Sequence, residues 1–374
     1  MLNYDFVIVG AGIMGLLTAY ELAHTHARIL IIDQQHAGRE SSWAGGGILS
    51  PLQPWTLPNA LEPLLHDSFI RYPLLIEQLY KSSGIDPEYL ICGLLSLNSE
   101  INNHSIEWAQ TMPKTVRWEA KILSSELLQK NYPHINTNAF QQGLLLPTIA
   151  QVRNPRLLQS LLKTLSTFPN ITLLENQTVQ PLQPSTQRKI TQLTTVQEKI
   201  NCDQVILCSG AWSAPLLQPL LGYALPIKPV LGQMLVMHPK KFLFNSIILH
   251  KDHYLIPRKD GRILVGSTLE NCQFKKTTTA SAKEKLFSIA QYICPELAHA
   301  SIEAQWAGLR PYAPEGIPYI GRLSDYDNVW MNAGHFRNGL TLAPASSGLL
   351  ADLLLNRKPK LDPTPYDPNR NHQG

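Results

Sequence analysis

Phe6-Val7-Ile8-Val9 is a continuous apolar run with β-branched side chains. It predicts a strand buried on both faces, as in a parallel sheet. Ile13, Leu16, Leu17 and Tyr20 then recur at helical spacing, so a helix follows and packs on that sheet. Ile29 to Ile32 is a second buried run, ending at Asp33. The opening segment therefore reads β-α-β.

Later patterns are more mixed. A helical stretch is expected around Asp67 to Ser83, kinked or interrupted by Pro73. Leu157, Leu158, Leu161, Leu162 and Leu165 share one face of a helix from Arg156. Ile171–Glu175 and Gln177–Leu182 look strand-like, and Val205–Cys208 is a buried strand ending in a Ser-Gly turn. His253–Arg258 and Arg262–Gly266 flank Lys259-Asp260-Gly261, a hairpin signal that belongs to an antiparallel sheet. Tyr254, Ile256 and Arg258 share one face of it by period two. Pro257 suggests an edge or bulged position. Pro363, Pro365 and Pro368 among polar residues make 359–374 read as a flexible tail.

The junction between the first strand and helix is Gly10-Ala11-Gly12-Ile13-Met14-Gly15, a full GxGxxG. Gly10 permits the tight turn, Gly12 lets backbone approach a pyrophosphate, and Gly15 allows close helix–strand packing. The helix start offers free N–H groups to phosphates, and Asp33 is placed to accept ribose hydroxyls. This context predicts a bound dinucleotide. The fingerprint does not separate NAD from FAD. Arg39 to Gly47, with its hydroxyls and three successive glycines, favours FAD, because such backbone can lie against a flat ring.

Composition bounds the rest. The chain has 374 residues, enough for two domains. A net charge of +4 without a Lys/Arg block argues against nucleic acid. Five scattered cysteines form no CxxC pair, which disfavours a disulfide framework or zinc site and suggests a reducing compartment. The uncharged run Phe6–Tyr20 contains three glycines, follows Asp5 and lacks a basic lead-in. It is also shorter than the ~18 apolar residues of a membrane span. The expectation is a cytoplasmic protein without stable membrane insertion.

Five segments together resemble the FAD-dependent amine oxidoreductases of the D-amino acid oxidase type, and within them the glycine oxidases of thiamine biosynthesis. They are VIVGAGIMGLLTAYEL, ESSWAGGGILSP (Glu40–Pro51), HYLIPRKDGRILVG (His253–Gly266), WAGLRPYAPEGIPYIGR (Trp306–Arg322) and AGHFRNGLTLAPASSGLLADLL (Ala333–Leu354). The likeness spans roughly 4 to 357. It implies an α/β (α+β) fold with a Rossmann-type FAD-binding domain and an antiparallel-sheet substrate domain. The FAD domain is expected to be discontinuous, from 1–80, 148–220 and 322–358, with 81–147 and 221–321 forming the substrate domain.

The resemblance implies non-covalent FAD, since no cysteine stands in the flanking motifs. Cofactor contacts are expected first at Gly10, Gly12, Ile13, Met14 and Gly15, then at Asp33 and Gln34. The glycine loop would add Ser41, Ser42, Ala44, Gly45 and Gly46. Val179, Ser209, Gly210 and Trp212 would follow from the middle of the chain, and His335, Phe336, Arg337, Asn338, Gly339 and Leu340 from the segment before a helix starting near Pro344. Arg310 matches the family's carboxylate-binding arginine, a role that suits a bidentate guanidinium. Tyr254 matches its substrate tyrosine, Arg337 would assist, and Ile48 and Ser50 would set pocket volume. Asp252 stands where such oxidases carry a histidine, and Asp252 or His253 would line the entrance. No catalytic base is assigned.

The implied reaction oxidises glycine, sarcosine or small D-amino acids to the imine, with O₂ reduced to H₂O₂ and the product feeding thiazole-synthesis enzymes. A homo-oligomer, possibly a tetramer, is implied as well. Two alternatives stay open: a D-amino acid dehydrogenase using a quinone or other acceptor, and a non-catalytic dinucleotide-binding protein.

Overall fold

The computed structural model describes residues 3–97, 105–108 and 119–370. The remainder of the expected 81–147 piece and the last four residues of the expected tail lie outside them. Two sheets organise the molecule. The first runs Tyr319–Arg322, Val329–Ala333, Lys199–Leu207, Asn3–Val9, Ile29–Ile32, Ile171–Leu174, with Gln192–Thr194 paired off Lys199–Leu207. Its five strands from Val329–Ala333 to Ile171–Leu174 are parallel. The continuous apolar runs in its middle follow from burial on both faces: Val7, Ile8, Leu30, Ile31, Val205 and Ile206 have almost no exposure. Strand Tyr319–Arg322 starts three residues before the expected boundary at 322, and its antiparallel pairing with Val329–Ala333 ties it to this sheet.

Helices Ile13–Leu22 and Gly339–Leu354 pack together on the sheet, and helix Glu62–Ser83 packs on the latter. Of the kink or interruption expected at Pro73, the interruption does not occur in helix Glu62–Ser83. It runs through that residue, which lies on the exposed side of the helix. Helix Gly339–Leu354 likewise starts before Pro344 and includes it. Residues 177–182 do not form a strand, although Val179 makes an isolated bridge to Thr195.

Among the described residues the second sheet has nine strands around the long pair Lys228–His238 and Ser301–Tyr312. The expected hairpin is present as His253–Pro257 and Ile263–Gly266. It is not at an edge, since Ile247–His250 pairs with its other side. Pro257 is tolerated because Ile247–His250 pairs only as far as Leu255, so no N–H is missed. One pair in this sheet, Ile247–His250 with Leu94–Ser96, is parallel.

The segment 359–370 is packed rather than loose. Tyr366 is 1% exposed and its hydroxyl donates to the Ala60 carbonyl. The Arg370 guanidinium lies 3.8 Å over the Tyr319 ring and donates to the Ile317 and Pro318 carbonyls. A buried aromatic and a stacked guanidinium outweigh the loop-like composition. Among the described residues, no helix is long and apolar enough to cross a membrane, and no group of His, Cys, Asp or Glu is arranged to hold a metal ion.

Candidate functional site

A cavity of about 550 Å³ lies at the carboxyl ends of the parallel strands and reaches the second sheet. Val9 and Gly10, Ile32 and Asp33, Cys208 and Ser209, and Ala333 reach it from four strand ends. Such ends are where open α/β sheets bind ligands. The second sheet contributes Tyr254, Ser267, Arg310 and Pro311.

The glycine turn is built by steric necessity. Gly10 has φ +107°, and a Cβ there would come within 2.5 Å of the Cys208 carbonyl oxygen. A Cβ on Gly15 would stand 1.9 Å from the Gly10 oxygen. Gly15 therefore packs helix against turn and does not itself line the cavity. Ser42 Oγ accepts from the Ile13 N–H at 2.9 Å, and the first helical turn carries no acidic residue to offset its positive end. Asp33 accepts from the Ala11 N–H at 2.7 Å and the Gln35 N–H at 2.9 Å. Burial raises its carboxyl above the ordinary range, against the pull of those two donors.

Of the glycine-loop residues, Ser41, Ser42, Gly45 and Gly46 line the cavity. Ala44 does not. Its carbonyl is held by Trp306 Nε1 at 3.0 Å, and its Cβ fills the space over Gly308. The loop is pinned from below by Arg258, which is 7% exposed and donates to the carbonyls of Gly46 and Val152 at 2.8 Å and to Gln151 at 2.7 Å. Periodicity placed Arg258 on the Tyr254 face but gave it no role.

Ile13, Met14, Gln34, Val179, Gly210 and Trp212 also line the cavity, as do Ile48 and Ser50. The segment His335 to Leu340 lines it throughout. His335 is buried, with Nε2 3.0 Å from Ser346 Oγ, and burial pushes its pKa down to about 3. It is a neutral imidazole at ordinary pH. Asp252 lines the cavity. His253 is not part of the lining.

Arg310 projects from strand Ser301–Tyr312. Its Nη2 donates to Ser267 Oγ at 2.8 Å and its Nη1 to the Thr268 carbonyl at 3.3 Å. Both partners are neutral. Among the described residues, no carboxylate lies within 4 Å of this guanidinium, the limit for an ion pair. Burial presses its pKa below the ordinary value; the Tyr254 phenol beside it opposes that shift, and the Arg337 charge adds to it. Tyr254 is 7% exposed. Arg337 differs from Arg310 in having a carboxylate partner, Asp252, at 2.9 Å.

A family model described as DAO, FAD dependent oxidoreductase, matches residues 5–353. The chain belongs to this family. It is 43% identical over 369 residues to the glycine oxidase of Pseudomonas putida, covering 98% of this chain and 99% of that one. The glycine oxidase structure from Geobacillus kaustophilus superposes with a TM-score of 0.89 at 26% identity, covering 99% of both chains. A bifunctional protein ThiO/ThiG of Synechocystis is 28% identical, covering 95% of this chain and 52% of its own. The protein is thus an FAD-dependent oxidase with the D-amino acid oxidase-like architecture.

The residues present fit FAD. Buried polar atoms of five cavity-lining residues have no protein partner: Glu40 Oε2, Asn154 Oδ1, Gln177 Oε1, His335 Nδ1, and both amide atoms of Asn332. Leaving such groups unpaired costs about 1–3 kcal/mol each, so they point to a polar ligand in the cavity. His335 was expected among the cofactor contacts and Glu40 opens the Glu40–Pro51 segment, but Asn154, Gln177 and Asn332 were not singled out from the sequence. These three come from separate stretches and carry no local motif of their own.

Proposed function

We propose that this protein oxidises glycine, and also sarcosine and small D-amino acids, to the corresponding imine, with O₂ as acceptor and H₂O₂ as by-product. The observation that carries this reading is Arg310: a largely buried cation facing the cavity, hydrogen-bonded only to neutral oxygens. A guanidinium in that state offers two parallel N–H donors to a substrate carboxylate, fixing position and tilt together. The Tyr254 hydroxyl is placed to donate to the same group, with Met234 Sδ its weak partner at 3.8 Å. Ile48 and Ser50, both buried, limit the room for a side chain on the substrate.

FAD, when bound, supplies the two-electron acceptor for substrate oxidation. Its pyrophosphate would be held by the backbone of the Gly10–Gly15 turn, and its ribose by Asp33, whose oxygens each keep a free lone pair. The N–H groups of the segment 337–340 would face the end of the cofactor that gains negative charge. We read the cofactor as non-covalent: Cys208 is the cavity-lining cysteine among the described residues, and burial pushes its thiol up to about 12, leaving little thiolate to react.

No catalytic base is required of the chain. The burial that presses the Arg310 pKa down also disfavours the charged form of an ammonium bound beside it. The substrate nitrogen then loses its proton to solvent on binding. His335 stays neutral and adds no charge there. The glycine preference and a place in supplying imine for thiazole synthesis rest on the glycine oxidase and ThiO/ThiG relatives.

Anaerobic addition of glycine, sarcosine, D-alanine and D-proline to the FAD-loaded protein tests the reading. Glycine should bleach the flavin, and in air peroxide should equal imine. A flavin that none of the four reduces removes the amino acid assignment. Peroxide well below imine points to another electron acceptor.

A further inference from the structure

Arg337 Nη1 and Asp252 Oδ1 form an ion pair at 2.9 Å, with both residues lining the cavity. The two ends of the pair differ in exposure. The Asp252 side chain is 69% exposed and the Arg337 side chain 25%, so the acid closes over the cation from the solvent side. The Phe336 ring lies 5.7 Å from the Arg337 guanidinium carbon. The cavity therefore holds two cations in different states: Arg310 without a carboxylate and Arg337 already neutralised by one.

We propose that Asp252 is a specificity-determining residue that occupies a second anion subsite at Arg337 and so restricts the cavity to substrates with one carboxylate. The proposal rests on the reading of Arg310 as the first carboxylate site. A ligand with a second carboxylate has to displace Asp252 from Arg337 and then meets its negative charge at the rim. Like charges brought together in an interface oppose binding and select against the wrong partner. Neutralising Asp252 with an amide of the same shape leaves the volume unchanged and releases the Arg337 charge. The occupant then favoured is an amino acid or simple acid carrying a second anionic group.

The test uses the FAD-loaded protein and its Asp252→Asn, Arg337→Gln and Asp252→Asn/Arg337→Gln variants. Dissociation constants of acetate, malonate and succinate are read from the flavin spectrum, without turnover, and kcat/KM is compared for glycine and D-aspartate. In Asp252→Asn the affinity for the better dicarboxylate relative to acetate should rise by about tenfold, as expected when a like charge is removed and a cation freed beside the second carboxylate. The D-aspartate to glycine ratio should move the same way. The double variant should lose the gain, which a merely enlarged entrance would keep. An unchanged dicarboxylate-to-acetate ratio in Asp252→Asn, or a gain retained in the double variant, overturns the proposal while leaving Arg310 in place. Failure of acetate itself to bind removes the Arg310 reading, and this proposal with it.

Discussion

A Cβ built on Gly232 would lie 2.1 Å from Nη1 and 2.3 Å from Nη2 of Arg310. The missing side chain on the neighbouring strand is what lets the guanidinium lie across the sheet and face the cavity. Gly232→Ala should therefore move Arg310 without unfolding the protein, because the atoms met are the end of a flexible side chain. An ångström of misplacement at a reacting centre can cost on the order of 100-fold. We expect kcat/KM for glycine to fall by about 10- to 100-fold with FAD content unchanged. Steady-state kinetics on the purified variant checks this, and wild-type kinetics would show that Gly232 does not set the arginine.

Gly15 makes the opposite case. Its Cβ would meet the Gly10 carbonyl oxygen at 1.9 Å, and backbone cannot swing aside as a side chain does. Gly15→Ala should separate the helix from the turn and cost about 1–3 kcal/mol or more, as overpacking does. The variant should emerge from purification with little flavin and a lowered melting temperature. Full FAD content would contradict the packing role.

His335 gives a pH signature. Its folded pKa of about 3 lies below the usual ~6.5 of the unfolded chain. Above pH ~6.5 both states are neutral and this contribution to stability is complete. As pH falls from there towards 3 the unfolded chain takes up a proton that the fold refuses, so the contribution is lost progressively. At saturating FAD, the stability difference between pH 7 and pH 5 should be about 2 kcal/mol larger for wild type than for His335→Gln. Denaturant unfolding at the two pH values measures it. Equal acid sensitivity would show that His335 protonates within the fold.

The carboxy-terminal segment predicts a stability effect. Truncation after Leu361 removes Tyr366 from the core and Arg370 from the Tyr319 ring. Loss of a buried aromatic costs on the order of 3–5 kcal/mol, which should appear as a lower denaturant midpoint. A midpoint equal to that of the full chain would mean these contacts add nothing.

What the sequence revealed follows the range of the interactions. The first β-α-β unit was legible because Phe6–Val9, the glycine turn and Asp33 lie within one short stretch and each has its own local signature. The Asp-Gly hairpin was legible for the same reason. Composition misled at the tail, since the burial of Tyr366 depends on Ala60, some 300 residues away. Proline did not interrupt helix Glu62–Ser83 or set the start of helix Gly339–Leu354, both of which pack on neighbouring helices. Asn154, Gln177 and Asn332 are ordinary polar residues until the fold gathers them around one cavity. Gly232 did leave a signal, a glycine inside the apolar run Lys228–His238, which marks a close approach. Nothing in the run says that the approaching group is Arg310.

The central claim is that Arg310 holds the substrate carboxylate while FAD accepts the electrons. Anaerobic flavin reduction by glycine in wild type, Arg310→Lys and Arg310→Ala tests it most directly. Removing a charged clamp should cost about 2–5 kcal/mol, so Arg310→Ala should need at least tens of times more glycine or reduce correspondingly slowly. Arg310→Lys should fall between, keeping the charge without the paired donors. Reduction of Arg310→Ala at the wild-type rate and glycine dependence would contradict the account.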